Sequence, residues 1–108
     1  MLLTPFAADA QDDLTKKFVT TYKEKYKDVP NQFAADAYDA IYALKAALES
    51  AKATPDMSAS DLCDALKPVM TSTTIDGLTG TGMSWSESGE VNKDPKAVVI
   101  KNGEYVGM

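Results

Sequence analysis

The segment Phe33-Ala34-Ala35-Asp36-Ala37-Tyr38-Asp39-Ala40, continuing into Ile41-Tyr42-Ala43-Leu44, restricts the possible folds of this chain more than any other. Its spacing predicts a helix from about Gln32 to Lys52, with Asn31 as the N-cap. Phe33, Ala37, Ile41, Leu44, Leu48 and Ala51 form the main apolar stripe, and Tyr38 and Tyr42 flank it. Ala34, Ala40, Ala43, Ala46 and Ala47 widen the small-residue surface. Alanine favours the helix and lets a neighbouring backbone approach closely. A helix this apolar needs partners on more than one side, a large demand for a chain of 108 residues. Its first turn carries an aromatic ring and a carboxylate, a composition suited to the wall of a small-molecule site.

A second helix is expected from about Asp12 to Tyr26, where Leu14, Phe18, Tyr22 and Tyr26 recur every four residues and Val19 widens the stripe. Asp9 is a candidate cap ahead of it, and Pro30 ends the pattern. Ser58 and Asp61 have capping-box spacing before a third helix, which carries Leu62, Ala65, Leu66 and Val69 inward and which Pro68 should end near Lys67. Residues 1–6 read as an edge strand or lead-in, since Pro5 disfavours a central strand. Beyond Thr71 the period changes. Thr73–Ile75, Met83–Trp85 and Ala97–Ile100 read as strands, and Asn102-Gly103 predicts a hairpin returning through Glu104-Tyr105-Val106. Helices cluster early and strands late, an order that makes a poor free-standing α/β layer.

Composition excludes several kinds of chemistry. The 16 acidic residues outnumber the 11 basic ones, all lysines, for a net charge of −5. With no arginine and no opposing lysine cluster, a nucleic-acid partner is not expected. There is no histidine and one cysteine, Cys63, so no His/Cys zinc site and no intrachain disulfide can form. Cys63 is expected to be a small buried or half-buried hydrophobe. Ser86 and Ser88 have no histidine to activate them. Residues Gly77–Gly82 lack both the Lys-Ser/Thr of a Walker loop and the helix of a dinucleotide fingerprint, so strand-to-strand geometry accounts for the glycines better than phosphate binding. No catalytic residue, metal site or cofactor is expected. Asp36 and Asp39, three apart, each have an ordinary reading as acids favoured by a helix N-terminus. The sharper reading puts Asp36 at a cleft edge, paired with a ligand ammonium. Phe33 is either a core anchor or the apolar wall of a site. Tyr38, Tyr42 and Trp85 read as packing residues.

Phe18-Val19 with Tyr22-Lys23 and Tyr26, then Pro30, then Phe33 to Ala40, resembles the C-terminal part of the type I periplasmic binding proteins. The leucine/isoleucine/valine-binding receptors of ABC transporters are the most similar branch. Asp76-Gly77-Leu78-Thr79-Gly80-Thr81-Gly82, Ser88-Gly89-Glu90 and Val98 to Val106 are similar to the same family in the same order. The resemblance implies an α/β fold in which this chain is a partial lobe of a Rossmann-like architecture. Residues 12–70 would be the helical part of the second lobe, and residues 71–108 the crossover and closing strands. It also implies an amino-acid-like ligand held between two lobes, delivery to a membrane permease, and a periplasmic or surface-exposed parent protein. By the same resemblance Phe33, Ala35 and Asp36 would be the ligand-binding residues. Much of the ligand shell lies outside the matched part, so binding by these residues alone is expected to be weak or absent.

Exposed apolar surface on such a lobe would favour a homodimer or higher assembly. A structural or self-associating module without a ligand is therefore the alternative reading. An enzyme would need Asp36 and Asp39 to share a pocket.

Overall fold

Thirteen of 108 residues are buried. The Cα radius of gyration is 16.1 Å and the extents are 50 × 29 × 21 Å, against about 13 Å for a compact chain of this length. The molecule is elongated, and most of its helical surface faces outward. The computed structural model describes residues 1–108, which form β1 (Leu2–Thr4), α1 (Asp13–Tyr26), α2 (Gln32–Ser50), α3 (Ala59–Ser72), β2 (Lys96–Lys101) and β3 (Glu104–Gly107).

Local signals set the helix ends. Asp12, not Asp9, caps α1 by accepting from the Thr15 amide at 2.8 Å. Lys27 closes α1 in the left-handed region at φ 58°, with its amide donating to the Lys23 carbonyl. Asn31 caps α2 by accepting from Ala34 N at 3.1 Å. Ser58 caps α3 and its hydroxyl also donates to Asp61 Oδ2 at 2.7 Å, as the capping-box spacing predicts.

α3 runs through Pro68 to Ser72 rather than ending near Lys67. Proline removes one amide donor, and the carbonyls of the last turn still need partners. The hydroxyls of Thr71, Ser72 and Thr73 donate back to carbonyls of Lys67, Pro68 and Val69. These hydroxyls supply extra donors to the last turn's carbonyls, while the bond lost at Pro68 is the one its amide would have made to the Asp64 carbonyl. None of the α3 residues is fully buried, and Cys63 is exposed, contrary to its expected burial. The reason is that α3 packs against α2 on one side only.

The sheet has the order β1-β2-β3 and is antiparallel throughout. β1 is an edge strand, with Leu2 opposite Val98. β2 and β3 join at Asn102 and Gly103, both at positive φ (53° and 84°), the geometry a two-residue hairpin turn of this kind requires. Thr73–Ile75 and Met83–Trp85 are not strands. They contribute only the isolated bridges Ile75 to Met83 and Trp85 to Val91, because turns interrupt both before a ladder can extend.

The buried stripes lie elsewhere than the apolar spacing implies. α1 buries Thr15 and Val19, whereas Leu14 and Tyr26 are exposed. α2 buries Ala35, Asp39, Ala43 and Ala47. The stripe expected to be buried lies outward: Phe33, Ala37, Ile41 and Leu44 are all exposed. The small residues win the inner face because α2 lies close to the loop at Leu78, where larger side chains have no room. The core forms where Phe6, Val19, Ala35 and Leu78 meet, with Phe18 and Tyr38 packed on it.

Candidate ligand-facing edge at the start of α2

Asn31 starts α2, and its first two turns present three groups in different directions. Phe33 points outward and is 71% exposed. Ala35 points inward and is fully buried, its methyl packed in the core cluster. Asp36, three residues after Phe33 and therefore on a similar face, is half-buried at the rim. The structure thus brings Phe33 and Asp36 to one edge and places the Ala35 side chain behind it, as packing.

Asp36 meets Lys93, a residue 57 positions away, with Nζ at 2.9 Å from Oδ1. Oδ2 of Asp36 accepts no hydrogen bond, and Lys93 donates only this one. The stem of Lys93 lies along Gly80, where an added Cβ would come within 3.8 Å of Lys93 Cγ.

Asp39, one turn on, has a different role. It is 7% exposed, and it accepts from Leu78 N at 2.9 Å, Thr79 N at 2.8 Å and Thr79 Oγ1 at 2.7 Å. The helix-dipole reading does not describe it, since its carboxylate binds a loop far along the chain. The loop is shaped to receive it. Gly77 N donates to Gly80 O at 2.9 Å, and Gly82 N donates to Asp76 Oδ1 at 2.7 Å. A Cβ on Gly77 would lie 2.6 Å from the Asp39 carboxylate. The glycine turn does cradle an anion with its amides, and that anion is the chain's own Asp39. No buried side-chain polar atom in the protein lacks a partner.

Above this clamp Tyr38 packs on Phe18 at 5.0 Å between ring centroids and on Tyr42 at 4.8 Å. The Tyr42 hydroxyl, partial burial and the nearby Asp39 charge together hold the Tyr38 phenol above its ordinary pKa. An open groove of about 660 Å³ between α3 and the Trp85–Gly89 turn, lined in part by Cys63, Leu66 and Trp85, shares no residue with the Phe33–Asp36 edge.

Sequence reasoning missed the Asp39 clamp and Lys93. A signal existed for the first: an acid on the small-residue side of a helix, and a glycine turn with free amides and no external anion motif. Lys93 gave none, as it sits in a polar stretch without pattern.

A model of the periplasmic binding protein family matches residues 1–104. The chain belongs to that family. Among solved structures, a protein from Rhodospirillum rubrum assigned to branched-chain amino acid ABC transport is similar at 29% identity and a TM-score of 0.71, over 99% of this chain and 30% of its own. A leucine-binding protein from Thermotoga maritima is similar at 27% identity and a TM-score of 0.73, over 98% of this chain and 29% of its own. An ABC transporter substrate-binding protein from Desulfitobacterium hafniense, at 21% identity and a TM-score of 0.74 over 95% of this chain and 29% of its own, shares the fold. A comparison with curated proteins gives no match. The chain spans about 30% of the length of the solved structures it matches. The resemblance to the leucine/isoleucine/valine-binding branch and the partial-lobe α/β fold are both borne out. No helix of this periplasmic-binding-protein chain is long and apolar enough to cross a membrane.

Proposed function

We propose that the chain serves as part of the substrate-binding component of an ABC importer for amino acids or similar small polar solutes, and performs no catalysis. Residues 12–70 supply the helical part of the second lobe, and residues 71–108 supply the crossover and closing strands. Phe33 and Asp36 face the ligand, with Ala35 fixing the backbone between them from the core side. The periplasm, or the outer face of a membrane, is the site of action, and the permease of the transporter is the macromolecular partner.

The observation that carries this reading is the exposure of Phe33. The aromatic ring is 71% exposed at the start of a capped helix, one turn from a half-buried carboxylate, and it heads an exposed apolar helix face with Ala37, Ile41 and Leu44. Apolar wall plus carboxylate suits an amino acid with an apolar side chain. One edge of a cleft gives weak affinity, roughly millimolar or weaker. Titration of the ¹⁵N-labelled chain with leucine, isoleucine and valine should shift the amides of Phe33 to Asp36, with glucose as the negative control. Unmoved amides at the solubility limit of all three amino acids would show that the Phe33–Asp36 edge holds no ligand by itself and would count against its ligand role.

A second reading, self-association without a ligand role, draws support from the outer face of α2, where Ile41 is 67% exposed beside Leu44 and Ala37. Sedimentation equilibrium tests it: a concentration-independent monomer mass would eliminate it.

A further inference from the structure

Asn102 and Gly103 turn the chain between Lys101 and Glu104, and both are exposed. Their φ angles, 53° and 84°, are those of a two-residue hairpin turn. Nothing lies within 4 Å of where a Cβ on Gly103 would sit. The Gly103 nitrogen is therefore an unshielded neighbour of the Asn102 side-chain amide carbon. The other two asparagines differ. Asn31 is engaged as the α2 cap and precedes Gln32, and Asn92 precedes Lys93. In both, the following side chain crowds the nitrogen that would attack. The hairpin also ends at an edge of the sheet. β3 pairs with β2 alone, and on its other side Gly107 N donates to the Asp9 carboxylate at 2.9 and 3.1 Å.

We propose that Asn102 is a site of spontaneous, enzyme-free conversion to aspartate and isoaspartate, and that the hairpin turn sets its pace. The Gly103 amide gives up its proton to solvent base, and its nitrogen attacks Cγ of Asn102. An N–Cγ bond forms, the Cγ–Nδ2 bond breaks, and Nδ2 leaves as ammonia after taking a proton from water. The resulting five-membered imide takes up one water. Opening at Cγ gives aspartate. Opening at the main-chain carbonyl of residue 102 gives isoaspartate, whose Cβ now lies in the backbone. Water is the only co-reactant. Ring closure must swing the Gly103 nitrogen to the same side of the Cα–C bond as Cβ. A left-handed Asn102 holds the two apart, so the turn must open first. Isoaspartate lengthens a two-residue turn by one carbon, and the Lys101–Glu104 and Ile100–Tyr105 pairs then no longer close in register. β3 loosens as far as its tie to Asp9.

The test is peptide mapping by mass spectrometry after incubation of the whole chain in mildly alkaline buffer, folded and in urea. The mass gain of an amide NH2 becoming OH should appear first at Asn102, with aspartate and isoaspartate forms resolved by chromatography. Its rate should rise with pH, because the Gly103 nitrogen attacks only after losing its proton. The folded chain should convert about fivefold or more slowly than the chain in urea, since the turn must first open. Asn102→Gln, whose ring would have six members, should lose the gain at this position. The isolated isoaspartate form should exchange the Val106 and Met108 amides faster than Asn102→Asp, which adds the same charge without the extra backbone carbon. A gain that appears first at Asn31 or Asn92 would overturn the site. Equal rates folded and in urea would overturn control by the turn and leave the site standing. Equal amide exchange in the isoaspartate form and Asn102→Asp would overturn the effect on β3.

Discussion

The inner and outer faces of α2 differ in side-chain size and have opposite fates. The inner face, Ala35, Asp39, Ala43 and Ala47, is buried and is anchored by three hydrogen bonds to Asp39. The outer face, Phe33, Ala37, Ile41 and Leu44, carries the larger apolar side chains and is exposed. Size and hydrophobicity would assign the core the other way round. Close approach of a glycine turn outweighs them here, because a backbone amide pair can reach a carboxylate only past small neighbours. The larger groups are left for whatever lies on the far side. A helix with a fixed inner face and an apolar outer one is a rigid presenter, which a binding edge needs.

The largest test of this contrast is at the inner face. Asp39→Ala strands the Leu78 and Thr79 amides in a buried site and should cost roughly 2–6 kcal/mol, about 1–3 for each donor. That is comparable to the whole stability of a small domain. Urea denaturation followed by circular dichroism would show it, and a loss below ~1 kcal/mol would mean water replaces the carboxylate freely. Gly77→Ala comes next. The Gly77 backbone is not in the left-handed region, so any penalty must come from the 2.6 Å approach of its Cβ to Asp39. Overpacking of this kind costs about 1–3 kcal/mol. In an Asp39→Ala background the cost should shrink, and a double-mutant cycle that shows simple additivity would break the link. The smallest effect belongs to the outer face. Ile41→Gln should change stability by no more than about 0.5 kcal/mol. If it also dissolves an oligomer seen by sedimentation, the self-association reading gains; a clear loss of monomer stability would show that Ile41 is packed after all.

Much of the framework could be read along the chain. Asn31, Ser58 and the Asn102-Gly103 turn act within three or four residues of themselves, so local chemistry is enough to locate α2, α3 and the β2–β3 hairpin. The family resemblance likewise held, since the family's model matches residues 1–104. Periodicity failed at the facing of α1 and α2, because it reports which residues dislike water and not which side a neighbour can reach. α3 continues past Pro68 to Ser72, since the proline removes one amide donor and leaves the turns on either side able to bond.

Residue order therefore carried the class of the protein, its helix starts and its tight turn, since each depends on neighbours along the backbone. The pairings Asp39 with Leu78–Thr79 and Asp36 with Lys93 span 39 to 57 positions. They came only from folding, because a carboxylate selects its donors by distance in space. Two identical acids three residues apart consequently end in different roles, one sealed into the scaffold and the other held at the edge by a single lysine.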